Sequence, residues 1–205
     1  MDRALFEDSD VSRETLAALE EFSADLLKWT KKINLISPST QGDIWERHIK
    51  DSAQLWLLRG ESTKTWCDLG SGGGLPGLVL AFLSKGEGSP VRFTLIESDA
   101  RKSAFLSTMG SKYDLPVQII TERIEAARPA NADLVSARAL APMPKLLDFA
   151  HRHIAEGGLF LLQKGAQFKK EIDLARESWH FDCEVVPSRT HSAAVVLKIK
   201  EVVRA

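Results

Sequence analysis

Between residues 68 and 77 the chain reads Asp-Leu-Gly-Ser-Gly-Gly-Gly-Leu-Pro-Gly. Glycine at 70, 72 and 74 is what a backbone needs when it must turn tightly and let a ligand approach its amides. Pro76 suits the first turn of a following helix, where its missing N–H is not needed. An apolar run precedes the turn, so strand, turn and helix follow one another in the order that a nucleotide-binding loop requires. The next strand-like run ends in Leu95-Ile96-Glu97, which sets a carboxylate at the same edge, where it can accept both hydroxyls of an adenosine ribose. The bland alternatives are a turn that only reverses the chain and an acid that is only solvated or capping. The order of the elements favours a bound nucleotide.

Other side chains with chemical potential stand apart from this loop. Arg138 closes a strand-like run near the same edge, where an unpaired guanidinium would be costly, so a partner is expected for it. Lys164 ends the run Leu161-Leu162-Gln163-Lys164-Gly165, and two readings stay open, electrostatic help at a site or a solvated strand end. His48 shares a helix face with Ile44, Asp51 and Ser52; it either joins a polar network toward the rest of the molecule or docks its own helix through a satisfied hydrogen bond. Arg47 and Asp51, four apart, have the spacing of a helix pair, which leaves open whether they simply pair along that helix. Cys67 and Cys183 are far apart and lack the spacing of a metal site or disulfide framework, so no metal is expected, and Cys67 reads as a core thiol.

Two kinds of element must position these groups. Leu16, Leu19, Phe22, Leu26, Trp29 and Ile33 recur at steps of three and four, one stripe of a helix, with Ser12 as its N-cap and Glu14 near its positive end. Pro38, Gly42 and the polar run around them break this helix, and Asp43 is expected to cap a second one reaching about Leu58. From Lys64 onward, short apolar runs alternate with helical stretches, which demands a parallel sheet covered on both faces. Strands are expected over 65–69, 92–96, 117–121, 133–136, 158–163, 183–187 and 194–200, and helices over 76–84, 101–113, 143–153 and 168–179. The link between the last two strands is too short for a helical crossover, so they form an antiparallel hairpin. The expected organisation is a helical extension over 1–62 and one α/β doubly wound unit over 63–205.

The 205 residues, 44% hydrophobic and 27% charged, suit one folded domain with an appendage. No apolar run is long enough to span a membrane, and the acidic start is unlike a secretory signal, so a cytoplasmic protein without membrane contact is expected. A net charge of −1 argues against a general polyanion binder. Charge is nonetheless uneven: residues 1–25 carry eight acids against two bases, and residues 26–60 six bases against three acids. A local basic face therefore remains open, with Lys28, Lys31, Lys32, Arg47 and Lys50 in the extension and Arg123, Arg138, Lys145, Lys164, Lys169 and Lys170 near the carboxyl edge of the sheet as candidates. The five tryptophans sit at core-like positions rather than as base-stacking platforms.

The spacing Asp68-x-Gly-x-Gly-x-Gly resembles the first motif of class I methyltransferases, and the closing hairpin resembles their sheet, whose last strand runs antiparallel to the rest. The segments Asn34-Leu-Ile, Arg47-His-Ile-Lys-Asp-Ser52, 68–77, 136–139 and Ala141-Pro-Met-Pro-Lys-Leu146 together resemble one family, the small-subunit ribosomal RNA guanine-N7 methyltransferases, also called glucose-inhibited division protein B. The similarity runs in order over about residues 15–165. It implies S-adenosyl-L-methionine as cofactor, bound by Asp68, Gly70, Gly72, Gly74, Leu75, the pair Ile124-Glu125 and Arg138, with Glu97 on the ribose. It implies RNA or a ribosomal particle as partner, and Arg47, His48, Arg123, Lys145 and Lys164 are the candidates among this chain's own residues to face that substrate. The family usually has Ala-Glu where this chain has Ile124-Glu125, and commonly Asp at the position of Glu97. N7 already presents a lone pair, so no general base is required, and Arg138 and Lys164 are the candidates for positioning or electrostatic help. Three rival functions remain at this stage: the same fold acting on a small molecule or protein, an NAD-dependent oxidoreductase, and an RNA-binding assembly factor without turnover. A monomer is the default.

Overall fold

A computed structural model describes residues 11–205; Asp2, Arg3, Glu7, Asp8 and Asp10, counted in the acidic start, lie outside the described residues. Helix α1 (Arg13–Thr30) begins as its sequence predicts: the Ser12 hydroxyl accepts from the Thr15 N–H at 3.2 Å. The backbone amides of this first turn hold the Glu14 carboxyl below its ordinary value. Leu19, Phe22 and Leu26 turn the helix stripe into the core, where the Phe22 ring lies 5.5 Å from Phe82 and 6.3 Å from Phe105. Burying side chains of this size stabilises by about 2 kcal/mol each, which is what holds the extension to the rest of the fold.

The second helix departs from expectation. The path is already helical from Pro38, as a 3-10 stretch Pro38–Asp43, then a π-helical turn Trp45–Lys50, a single α turn Asp51–Ala53 and a second 3-10 stretch Gln54–Leu58. Asp43 provides no side-chain cap. Burial here follows the whole path rather than one helical stripe: His48, Ile49 and Lys50 are buried in succession, and so are Ser52 to Trp56, so no single amphipathic face fixes one regular helix.

Seven strands follow: β1 (Thr65–Leu69), β2 (Arg92–Ile96), β3 (Val117–Ile120), β4 (Ala132–Arg138), β5 (Ile154–Lys164), β6 (Trp179–Pro187) and β7 (Val195–Arg204). They form one sheet in the order β3-β2-β1-β4-β5-β7-β6, with β7 antiparallel to both neighbours and the others parallel. The doubly wound α/β sheet with its last strand reversed is thus present. Helices α2 (Gly77–Gly86) and α3 (Ala100–Lys112) join the extension on one face, and α4 (Met143–His153) and α5 (Phe168–Arg176) cover the other. Alternate strand residues feed the two cores, Trp66 and Leu134 one, Cys67 and Val135 the other. Trp56, in the extension, stacks on Trp66 of β1 at 6.1 Å. Burial raises the Cys67 thiol, which is a core group as expected. No helix among the described residues is long and apolar enough to cross a membrane.

The strand order reverses between β1 and β4, since β2 and β3 lie to one side of that pair and β5 to the other. Loops leaving the carboxyl ends of the parallel strands diverge at such a point and open a crevice. The turn after β6 reaches the same edge, because Pro187 and Val195 pair beside Lys164.

Candidate functional site: a glycine turn and an adjoining cavity

The glycine turn hangs from β2: the N–H groups of Gly70 and Ser71 both donate to the Ile96 carbonyl, at 2.9 and 3.2 Å. Gly70, Gly72 and Gly74 all have positive φ, at 65°, 53° and 77°. A Cβ on Gly70 would lie 2.6 Å from a Leu140 methyl, whereas one on Gly72 would meet only the Gly70 carbonyl at 3.7 Å. The side of the turn at Gly72 is therefore open to a ligand, as a cradle for a nucleotide must be. Beneath the turn Asp68 is fully buried. Its carboxylate accepts from Ser136 Oγ at 2.7 Å and from the Gly77 N–H at 3.2 Å, and Ser136 Oγ in turn accepts from the Trp66 indole. Burial pushes Asp68 up to about 6, with those hydrogen bonds opposing the rise.

Glu97 is 8% exposed and stands against the turn: Oε2 accepts from the Gly72 N–H at 2.9 Å and Oε1 from the Asp99 N–H at 2.8 Å. Asp99 then caps α3 by accepting from the N–H groups of Arg101 and Lys102. Ile124 is buried and Glu125 exposed. The Ile124 carbonyl accepts from His153 Nε2 at 2.9 Å, while its N–H has no partner among the described residues. His153 and Arg152, which binds the Ala127 carbonyl, pin this segment to α4, and the sequence carried no signal for either. Leu75 is buried behind the turn.

On the other side of the switch point lies a cavity of about 940 Å³. Four stretches wall it: the extension between Leu35 and Asp51, the β4–α4 loop, the end of β5 with the start of α5, and the loop before β7. It brings together Arg47, His48, Arg138 and Lys164, and leaves Asp68, Gly70, Gly72, Gly74, Leu75, Glu97, Ile124, Glu125, Arg123 and Lys145 outside its walls. Leu140 joins the two regions, because it lines the cavity and packs against Gly70.

Arg138 finds its partners in the extension. It donates to His48 Nδ1 at 3.0 Å, to the Arg47 carbonyl at 3.2 Å and to Asp51 Oδ2 at 3.4 Å. Because a guanidinium only donates, His48 Nδ1 must accept, so the imidazole proton sits on Nε2 and is donated to Thr40 Oγ1 at 2.8 Å. Burial, with Arg138 and Arg47 close by, pulls His48 down to about 4 and keeps it neutral. Both readings of His48 hold at once: it docks the extension and it belongs to a polar network. Burial likewise disfavours the charge on Arg138, and Asp51 offsets it.

Asp51 is the junction of this network. It does not pair with Arg47 along the helix. Oδ1 accepts from Gln54 Nε2 at 2.8 Å and Thr190 Oγ1 at 3.0 Å, and Oδ2 accepts from Gln163 Nε2 at 2.7 Å besides Arg138. Lys164, its side chain 8% exposed, is no solvated strand end: Nζ donates to the Ala141 carbonyl at 2.9 Å and to Glu171 Oε2 at 2.7 Å. Lys50 is also withdrawn from the candidate basic face, since its side chain is 4% exposed and pairs with Glu46 at 2.6 Å. Arg123 and Lys145 are exposed. Gln163, Glu171, Thr190 and His191 complete the cavity.

Comparison with known proteins gives the family and the fold. Residues 15–198 match the model of the GidB family, rRNA small subunit methyltransferase G. A relative from Cereibacter sphaeroides (strain ATCC 17025), named ribosomal RNA small subunit methyltransferase G, is 49% identical over 93% of this chain and 92% of its own length. One of the same name from Gluconobacter oxydans is 46% identical over 93% of this chain and 96% of its own. Among solved structures, a SAM-dependent methyltransferase from Aquifex aeolicus superposes with a TM-score of 0.59 at 15% identity, covering 84% of this chain and 97% of that one. TYW2 of M. jannaschii in complex with AdoMet gives 0.56 at 17%, covering 77% and 76%. Those distant structures share the fold, whereas the family match and the near-full-length relatives decide the kinship. The chain belongs to the GidB family, rRNA small subunit methyltransferase G.

Proposed function

We propose that this chain transfers the methyl group of S-adenosylmethionine to N7 of a guanine in small-subunit (16S) ribosomal RNA. The observation that carries the reading is the junction at Leu140, where a glycine turn suited to the cofactor backs directly onto a large, mainly apolar cavity with a few charged and amide groups in its wall, suited to a base. Gly70, Gly72, Gly74 and Leu75 would hold the cofactor through the turn, with Asp68 bracing it from below. Glu97 would accept from the ribose, Ile124 and Glu125 would meet the adenine, and Arg138 would border the reacting end. When bound, S-adenosylmethionine supplies an electrophilic methyl on a sulfonium.

The chain's own residues then have a limited task, because N7 needs no deprotonation. Arg138 and Lys164 are fixed cations whose orientation is set before substrate arrives, so little reorganisation accompanies the change in charge. A neutral His48 holds Arg138 in place without adding charge. Arg47 at the cavity wall and the exposed Arg123 and Lys145 would meet the RNA backbone, with Arg47 and His48 contributed by the extension of residues 1–62 and the remainder by the unit of 63–205. The partner is the RNA or an assembling or finished particle, encountered in the cytoplasm by a monomer.

The test is transfer of labelled methyl from S-adenosylmethionine to purified ribosomal RNA and to small subunits lacking the modification, followed by mapping of the labelled atom. Label at a guanine N7 is the expected result. Cofactor binding with no labelled RNA overturns the substrate, and label on metabolites or protein instead redirects it.

A further inference from the structure

The cavity holds two carboxylates, and they differ in what is left to them. Asp51 uses both lone-pair positions of both oxygens, on Gln54 and Thr190 and on Gln163 and Arg138. Glu171 receives Lys164 Nζ at 2.7 Å and the Met143 N–H at 3.0 Å, both on Oε2, and among the described residues Oε1 accepts from none. Lys164 has a third N–H beyond those given to Ala141 and Glu171. The wall thus offers a free donor beside a free carboxylate oxygen. Gln163 Oε1 also lacks a donor, but it is sealed from solvent, and its amide is held in place by donating to Asp51.

We infer that Glu171 determines specificity for guanine: its Oε1 accepts from N1–H and the N2 amine of the base whose N7 is methylated, while Lys164 donates to O6. The inference rests on the methyl-transfer reading above. Going round guanine from N7, the next groups are O6, an acceptor, and then the N1–H and N2 amine, both donors; adenine offers an amine and then a bare acceptor. With N7 fixed at the reacting position, a donor followed by a carboxylate suits guanine. Lys164 is 8% and Glu171 27% exposed at the side chain, so a base that fills the cavity shuts water from both; adenine would face them with the wrong polarity and leave them unpaired, which is how a desolvated polar site rejects a close analogue.

The experiment compares small-subunit RNA carrying guanosine at the methylated position, mapped first with the wild-type chain, with RNA carrying inosine there. Inosine retains N7, O6 and N1–H and lacks the N2 amine. The wild type is expected to prefer guanosine about tenfold, the scale of one charge-assisted hydrogen bond. Glu171→Gln is expected to lower kcat/KM on guanosine RNA by about tenfold and to bring the two RNAs within about twofold of each other. Cofactor affinity should stay unchanged. Glu171→Asp, which retains a carboxylate, keeps the preference. Equal use of both RNAs by the wild type, or a preference that survives in Glu171→Gln, overturns the inference while methyl transfer stands. A wild type that labels no RNA overturns the methyl-transfer reading and this inference together. If the glutamine variant misfolds, the wild-type comparison and the aspartate variant decide.

Discussion

The glycine turn and the cavity sit side by side at one edge of the sheet and hold their chemistry by opposite means. At the turn, ten consecutive residues shape the backbone, and its amides bind Glu97, Asp68 and the β2 carbonyl. In the cavity, side chains from four distant stretches bind one another, with Asp51 joining partners 87, 112 and 139 residues away in sequence. A backbone cradle tolerates side-chain variation around it and fails when a glycine gains a Cβ. A side-chain network is indifferent to local propensity and fails when its junction is removed.

The largest effect is expected at Gly70. An alanine there would take a left-handed conformation and drive its Cβ to 2.6 Å from Leu140. The left-handed strain and the displacement of Leu140 together should destabilise by about 2–4 kcal/mol, and methyl transfer should fall to background because either the turn or Leu140, which it shares with the cavity, must shift. Urea unfolding and labelled transfer check this, and a Gly70→Ala chain with wild-type stability and activity would break the account of the turn. Asp51→Ala tests the other region. It leaves the half-buried Arg138 without its carboxylate and releases Gln163 and Thr190 as well, which together should cost about 2 kcal/mol. A loss confined to a few tenths of a kcal/mol would mean that the network is decorative.

The same difference governs what could be read from sequence. The turn, the acid at 97 and the strand–helix alternation are local patterns, so β1 and β2 appear where the apolar runs put them and Ser12 caps α1. Strand ends were less legible: β5 begins at Ile154 rather than 158 and β7 continues to Arg204, because partly exposed residues without a strand-like apolar run still pair once a neighbour lies alongside. Arg47 and Asp51 have the spacing of a helix pair, yet Asp51 turns to Arg138, a partner supplied only by the packing of the extension on the sheet. The π-helical turn around His48 has the same origin. Glu171 and Gln163 had no local signature at all, since their roles depend on which strand ends meet at the cavity.

Acid separates the two regions without large structural damage. Asp68 is raised by burial to about 6 from an ordinary 3.8, so the folded chain holds its proton more tightly than the unfolded one. The stability contributed by that proton is complete below 3.8 and is lost as pH rises through 6. His48 is lowered to about 4 from 6.5, so its contribution is complete above 6.5 and is lost as pH falls through 4. The two therefore oppose each other between about pH 4 and 6. The stability difference between wild type and Asp68→Asn should shrink as pH rises across that window, and the difference between wild type and His48→Asn should grow. Unfolding midpoints measured at several pH values decide the signs, and parallel slopes would show that turn and cavity do not titrate as separate units.

The smallest effect should come from the rim outside both regions. Lys145 is exposed, with its ammonium 5.3 Å from the Phe149 ring and no carboxylate partner among the described residues, so its removal disturbs neither the turn nor the network. If it neutralises one phosphate, Lys145→Ala should weaken RNA binding uniformly and reduce the slope of log affinity against log salt by about one. The ratio of guanosine to inosine methylation should not move, because a phosphate contact positions the nucleic acid without reading its bases. Filter binding across a salt series, paired with that ratio, distinguishes the outcomes. A flat salt slope would leave Lys145 as ordinary solvated surface, and a changed ratio would mean that the base-reading cavity extends further along α4 than its walls show.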